Sequence, residues 1–540
     1  MTQDTSTPAM PPNARTAAAR DAPALLFADA DGAKRWAKSL MVTGVGPLYE
    51  AIHGQLQAVS NAAFLPRERA TIAEVMREQV AHLHTELARR FAGKPQPAAE
   101  RELETANQAI ALWHALWEQY SACLKPLLEG DTELHGVKAK LLQRGLFVGK
   151  QLVLVHALAR RAVPPALWQE LHAYYRLTEI LDCSVTAVSD ELTPHAVGIS
   201  CYSTYCHALL LGLADPYAMS IRQIELTDRW LSQWARKVFP YTQQRETEGP
   251  IMLIDLDGNA GASLVGAPPR DPSRSMRFGY PGKLATSVRG RLKRLAAGAS
   301  PAELQLGHDT SVETCTALLS HLDAHWYQLP RRNAEQSAWQ ELVTGGIPAA
   351  YFRIGGRTFD RQDPLGRLTF QGAQYLQTLG ALTDYDRYRE DAEKNWPWER
   401  WQGTAEWRGA ELARNDHGRY RWFLDQLVVA RDDDRMRTGH VTRVSLDPQG
   451  EFAISLAFWP GTPKSLAICP TSLAYVEEPP MPALLLSETP EERGTLIVPP
   501  RTFNPGRMFR SMDPGPERKF RLTKLVQRGG DFERVAFEET

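Results

Sequence analysis

The hydrophobic period of this 540-residue chain first shifts near Gly249 and becomes strand-like throughout beyond Pro330, and that shift limits the fold more than any other feature. Before Gly249, apolar residues recur three and four apart, as on one face of a helix; beyond Pro330 they alternate within short runs, as in strands, with a mixed stretch between. From about Asp31 to Phe239 the spacing predicts helices over Arg67–Phe91, Glu102–Leu128, Val137–Ala159, Ala166–Leu181, Cys201–Leu213 and Ile221–Val238. In the first of these, Ile72, Val75, Met76, Val80, Leu83, Leu87 and Phe91 share one stripe. Pro164-Pro165, Asp215-Pro216 and Gly130 punctuate the helix ends. No fixed repeat runs through the segment, so the expectation is a bundle or stack of long helices and not a solenoid.

Past Gly249, Pro250–Asp255 reads as a strand, Leu256-Asp257-Gly258-Asn259 as a turn, and Ala262–Val265 as a returning strand. A Pro- and Arg-rich loop, a basic helix at Lys283–Ala297 and an amphipathic helix at Val312–Trp326 follow. Beyond Pro330 short strands dominate. They are Trp407–Leu412, Gly418–Leu424, Leu427–Ala430, Gly439–Ser445, Phe452–Phe458, Ser465–Ile468, Ala483–Leu486, Gly494–Val498, Met508–Phe509, Lys519–Val526 and Phe532–Phe537. Short, evenly spaced strands with turn residues between them imply one or two small barrels. Thr369–Lys394 reads as a helical insertion leading into Trp396, Trp398 and Trp401. The fold class is therefore α+β, an N-terminal helical domain followed by a C-terminal small-barrel region. The expected division is a disordered start at 1–22, a helical domain at 23–245, a linking α/β segment at 246–329, and a barrel region at 330–540 with its insertion at about 369–400.

Composition narrows the function classes. Lys and Arg total 62 against 63 acidic residues, a net charge of -1, so no global footprint for nucleic acid or anionic membrane exists. No run approaches the roughly 20 apolar residues that span a bilayer. The first 22 residues carry no apolar core of a signal peptide. Six cysteines (Cys123, Cys183, Cys201, Cys206, Cys315, Cys469) without paired spacing fit a reducing compartment, and the expected location is cytoplasmic. No zinc-site spacing, nucleophile elbow or phosphate loop is present, so no metal and no catalytic residues are expected. One enzymatic pattern, Asp255-Leu256-Asp257-Gly258, matches the opening of haloacid dehalogenase-type phosphohydrolases, with Asp255 as nucleophile and Asp257 as acid/base. The residues after it lack the alternating strands and helices that such a fold needs, and Asp-Gly is a common hairpin turn.

The junction between the halves, His325-Trp326-Tyr327-Gln328-Leu329-Pro330-Arg331-Arg332-Asn333-Ala334-Glu335-Gln336, carries the most informative chemistry. Two adjacent guanidinium forks at the entrance to a barrel can each grip a phosphate, or guanine O6 and N7, through parallel N–H···O bonds. With the barrel that follows, this linker resembles the PilZ family of cyclic di-GMP receptors, and more narrowly a group of long β-proteobacterial members with a helical N-terminal half. Pro164–Tyr175, Ala214–Ala218 with the helix after it, Thr438–Arg443 and Arg521–Phe537 carry the rest of the resemblance. The family's RxxxR linker is matched at Arg332, with Gln336 in place of the second Arg. Its [DN]xSxxG strand motif falls near Arg414–Tyr420, where Asn415 could read a guanine edge, but His417 replaces the Ser and Tyr420 the Gly. The resemblance implies a ligand site of Arg331, Arg332, Gln336, Arg414, Asn415 and Gly418.

It further implies a regulatory receptor or adaptor, not an enzyme. Cyclic di-GMP would be its regulatory ligand, no other cofactor is expected, and the helical half would bind an unidentified protein partner. Nucleic acid is not an expected partner. The departures at Gln336 and His417 support a second reading, a ligand-free interaction scaffold on the same barrel; loss of one fork removes about 1.5–3 kcal/mol of charge-assisted bonding. The phosphohydrolase is a remote third. The basic run Arg270–Arg294 could hold RNA, DNA or an acidic protein, but with net charge near zero a solvent-facing helix neutralised by acids elsewhere is the simpler reading.

Overall fold

The structure, a computed structural model, describes residues 23–40, 44–193, 198–329, 337–360, 391–406, 408–414, 418–432, 435–447, 449, 451–471, 478–513 and 517–540. The expected disordered start, nearly all of the expected helical insertion, and Arg331, Arg332, Gln336, Asn415 and His417 lie outside them. The fold is α+β, helical through the N-terminal stretch and β-rich after Ile251. Two compact units divide it. One comprises Met1–Arg90, Glu104–Leu152 and Ala173–Tyr205; the other comprises Phe91–Leu103, Val153–His172 and Cys206–Thr540.

In the first unit the apolar stripe read from the sequence is the core face of the helix Pro66–Phe91, with Ile72, Met76, Val80, Leu83 and Leu87 buried. Trp113 on Glu100–Ser121 packs edge-on to His84 of that helix, with ring centroids 5.7 Å apart, and Trp117 is buried beside Tyr174. A charged network crosses this core. Glu74 meets Arg77 Nε at 3.2 Å, Arg144 Nε at 3.0 Å, Lys140 Nζ at 3.2 Å and the Tyr120 hydroxyl at 2.8 Å. Asp190 takes Arg77 at 2.9 Å. Burial opposes the Glu74 charge, but Arg77, Arg144, the Tyr120 hydroxyl and Lys140 outweigh it and hold the carboxyl down at about 2. Buried charge survives only when paired in this way.

All the sheets among the described residues lie in the second unit. Strands β1 (Ile251–Asp255), β2 (Ser263–Val265) and β3 (Met276–Gly279) form an antiparallel sheet in the order β2-β1-β3. The expected hairpin is present; β3 emerges from what the sequence suggested was a loop. Strands β4 (Ser337–Val343), β5 (Glu399–Glu406), β6 (Gly409–Arg414), β7 (Leu427–Asp432), β8 (Arg435–Leu446) and β9 (Phe452–Phe458) close a first barrel in the order β4-β5-β6-β9-β8-β7. Strands β10 (Pro463–Pro470), β11 (Met481–Leu486), β12 (Thr495–Val498), β13 (Met508–Ser511), β14 (Lys519–Arg528) and β15 (Glu533–Glu539) close a second in the order β10-β11-β12-β15-β14-β13. Closure leaves neither barrel with a bare edge.

The helix Gly346–Gly355, not expected from the sequence, fills the space where the barrels meet. Its Ile347, Ala349 and Ala350 share a core with Leu427 and Val429 of β7, Trp459, Leu484, Ile497 and Phe532. Asp531 sits at this junction and accepts the Leu427 N–H at 2.8 Å. Burial, partly offset by that bond, pushes its carboxyl up to about 6.

Both charged groups give testable consequences. Glu74 is depressed in the folded state, so its contribution is complete above the ordinary glutamate value of 4.5 and fades as pH falls toward 2. Glu74→Gln should cost about 3 kcal/mol at neutral pH and flatten the acid limb of a urea-unfolding series. Asp531 is raised, so the stability tied to its protonation is present below 3.8 and lost as pH rises through about 6. Asp531→Asn, which keeps an acceptor for Leu427, should raise stability at neutral pH by roughly 2 kcal/mol, with little effect below pH 4.

Candidate ligand site at the first barrel

The inward series of β6 is Ala410, Leu412 and Arg414, so an arginine occupies the last core-facing position of the strand. Its guanidinium lies 4.3 Å from the centroid of the Trp401 ring and 5.7 Å from that of Phe452. It pairs with Glu399 at the start of β5, and the two side chains are 5% and 9% exposed. That burial separates this pair from an ordinary surface bridge, because neither charge has water to fall back on. Glu399 also accepts the N–H groups of Arg419 and Tyr420. Gly418 has φ +51, and a Cβ there would fall 1.9 Å from Arg414 Nη1. Only glycine fits so close an approach in that conformation.

The clamp has a visible consequence. The expected strand Gly418–Leu424 is not one: Glu399 takes the N–H groups a neighbouring strand would need, and only Trp422 makes a β-bridge, to Gln96. Its two N–H···O bonds measure 2.7 and 2.6 Å. Arg421 donates to the carbonyls of Pro95 and Pro97 at 2.7 and 3.0 Å and pairs with Glu102. Trp422, now inside the barrel, packs edge-on to Trp401. Tyr420, which donates to the Pro397 carbonyl at 2.8 Å, has its phenol pushed far up by burial and the Glu399 charge.

Other arginines of this barrel are also held by protein groups. Arg437 donates to Gln340 at 2.8 Å and the Glu406 carbonyl at 2.9 Å, 4.2 Å from the Phe458 ring centroid. Arg431 pairs with Glu341 beside Trp398, and Arg353 donates to the Trp396 carbonyl at 2.9 Å. Of the expected aromatic group, Trp401 is barrel core, while Trp396 and Trp398 pack against the inter-barrel cluster.

Of the expected site residues, the structure brings Arg414 and Gly418 into contact; Arg331, Arg332, Gln336 and Asn415 lie outside the described residues. The strand register relates the two sets. Ser337 pairs with Thr404 and Gln340 with Trp401, while Ala413 pairs with Gln402. Arg414 therefore lies level with Gln340, three residues or about 10 Å along β4 from where the linker enters. Sequence reading missed Glu399 because it placed Trp398-Glu399-Arg400 at the end of a helical insertion. The remaining sequence candidate, Asp255-Leu256-Asp257-Gly258, is a turn: Gly258 N–H donates to the Asp255 carbonyl at 3.0 Å, and the Asp255 carboxylate accepts from Asp257 N–H and the Ser275 hydroxyl. Its sheet is antiparallel, without the alternating β/α frame a dehalogenase-type site rests on. Among the described residues no group of three or more His, Cys, Asp or Glu side chains is placed to hold a metal ion.

Two family models match the chain: "Cyclic-di-GMP receptor FimW, N-terminal domain" over residues 31–240 and "FimW C-terminal beta-barrel domain" over residues 466–540. The chain belongs to the FimW family. It is also 23% identical over 343 residues to the cyclic-di-GMP receptor FimW of Pseudomonas aeruginosa, an alignment covering 61% of this chain and 54% of the relative. The chain thus spans about half the length of the curated relative it matches. No solved structure matches it. The family resemblance read from the sequence is borne out. The FimW C-terminal barrel corresponds to β10–β15; the barrel carrying Arg414 and Glu399 lies between the two matched stretches.

Removing one half of the buried pair strands the other. Arg414→Met should destabilise the chain by about 3–5 kcal/mol, read by urea unfolding with near-ultraviolet circular dichroism. Adding Glu399→Leu should recover much of that loss, an outcome not expected if the two residues act independently.

Proposed function

We propose that this member of the FimW family is a cyclic di-GMP-responsive regulatory receptor that acts as an adaptor in the cytoplasm. The observation that carries the reading is the pairing of FimW-family domains at both ends of the chain, with Arg331-Arg332 standing in the sequence just ahead of Ser337, where the first strand of the first barrel begins. The ligand's phosphates would be gripped by the forks of Arg331 and Arg332, with Gln336 accepting or donating to a guanine edge. Asn415 would read the second guanine. Arg414 and Gly418 would serve as positioning residues: the Glu399 clamp fixes the chain on the far side of Asn415 without spending a free charge on the ligand.

Binding would order the linker against β4, and an ordered linker favours one arrangement only to the extent that the ligand contacts it better than the other. The helical half would then present or withdraw a face for a protein partner. No helix of the described residues is long and apolar enough to cross a membrane, so the reading needs no anchor among them. A second reading, a ligand-free interaction scaffold, is favoured by one observation: the Arg414 fork is already neutralised by Glu399, and Gln336 supplies no charge in its place.

Isothermal titration of the full chain with cyclic di-GMP separates the two. The receptor reading expects micromolar or tighter binding, weakened at least tenfold in Arg331→Ala/Arg332→Ala, since each charge-assisted pair carries about 1.5–3 kcal/mol. No heat at high ligand concentration selects the scaffold.

A further inference from the structure

The basic segment expected to be a neutralised helix face is only partly so. On the helix Gly282–Ala296, Arg289 meets Asp323 at 2.7 Å, as the simpler reading required. Ser287, Arg291 and Arg294 lie along the same helix and behave differently. The short turn Ala235–Lys237, at the end of the helix Ile221–Trp234, brings Lys237 across to them. Lys237 Nζ donates to Ser287 Oγ at 2.6 Å, and Arg291 Nη1 donates to the same oxygen at 2.5 Å.

Two cations thus converge on one hydroxyl. Arg291 is fixed further by its Nε bond to the Leu304 carbonyl at 3.2 Å and by the Trp234 ring, 4.9 Å from its guanidinium carbon. It has little freedom to move away from Lys237. Burial, then the charges of Arg291 and Arg236, push the Lys237 ammonium down; burial and Arg294 do the same to Arg291. Among the described residues no carboxylate offsets either group, in contrast to Arg289 with Asp323 and to Arg222 and Arg229 with Asp309. The oxygen of Ser287 accepts from both cations, which leaves its own O–H as a donor. Lys237 and Arg291 are half-buried and Arg294 is exposed, so the cluster is open to a ligand. Fixed like charges with a free hydroxyl donor between them suit a compact oxyanion with several acceptor oxygens.

We propose that Lys237, Ser287, Arg291 and Arg294 form a binding site for one phosphate group, supplied by a soluble nucleotide or by a lipid headgroup and distinct from the first-barrel site. Occupancy would offset the repulsion between Lys237 and Arg291, so binding stabilises the chain in proportion to ligand in excess of its dissociation constant.

The experiment is thermal unfolding of the full chain in sodium phosphate against sodium chloride of equal ionic strength. Wild type should show a rise in Tm specific to phosphate. Lys237→Gln and, separately, Arg294→Gln should leave the chloride Tm unchanged or higher and need at least about tenfold more phosphate for the same rise. Arg331→Ala/Arg332→Ala should keep the full response. Absence of a phosphate-specific rise in wild type, or an equal rise in both single variants, overturns the proposal. Two further arms identify the source. GMP acting at lower concentration than inorganic phosphate, with loss in the variants, points to a nucleotide. Co-sedimentation with phosphatidylglycerol-containing vesicles but not pure phosphatidylcholine, lost in the same variants, points to a headgroup.

Discussion

Closure of the first barrel depends on β4, the strand that follows the Arg331-Arg332 linker in the sequence. It pairs with β5 on one side and β7 on the other, so the first described residues after the linker complete the ring. The buried Thr344 hydroxyl then bonds to the Leu427 carbonyl at 2.8 Å, and the chain passes into the helix that packs between the barrels. Pairing on both sides consumes the backbone groups that would otherwise form an exposed edge. It also ties β4 to the inter-barrel core, since Val343 and Ile347 belong to that core.

Charge inside the protein is handled by pairing. Glu74 and Asp190 in the first unit, and Glu399 in the second, each sit against arginines at low exposure. Several barrel arginines lie over aromatic rings, with Arg414 on Trp401, Arg437 near Phe458 and Arg431 beside Trp398. A planar, weakly hydrated guanidinium suits such places better than an ammonium. Asp531 departs from this pattern: with a backbone N–H as its partner and no cation among the described residues to oppose burial, its carboxyl is pushed up to about 6. Lys237 and Arg291 depart in the opposite sense, as cations pressed together with a hydroxyl between them.

The sequence by itself determined that the chain turns from helical to β architecture between Gly249 and Pro330, because hydrophobic period is a local property of the chain. The stripe through Ile72, Met76, Val80, Leu83 and Leu87 and the hairpin at Asp255–Gly258 were legible for the same reason. The family resemblance was legible too, through Pro164–Tyr175, Ala214–Ala218 and Arg521–Phe537, which fall within the stretches the family models match. Tertiary structure alone decided that Glu399 begins a strand, that Gly418–Leu424 is held off the sheet, and that Arg414 faces inward. Each outcome follows from a partner distant in sequence: Glu399 answers Arg414 and Gln96 answers Trp422. The basic run shows the same limit, since which of its charges is neutralised turned on Asp323 and Lys237, residues well outside it. Periodicity reports which face of an element is apolar, but the partner of a buried charge is fixed only when the whole chain has closed around it.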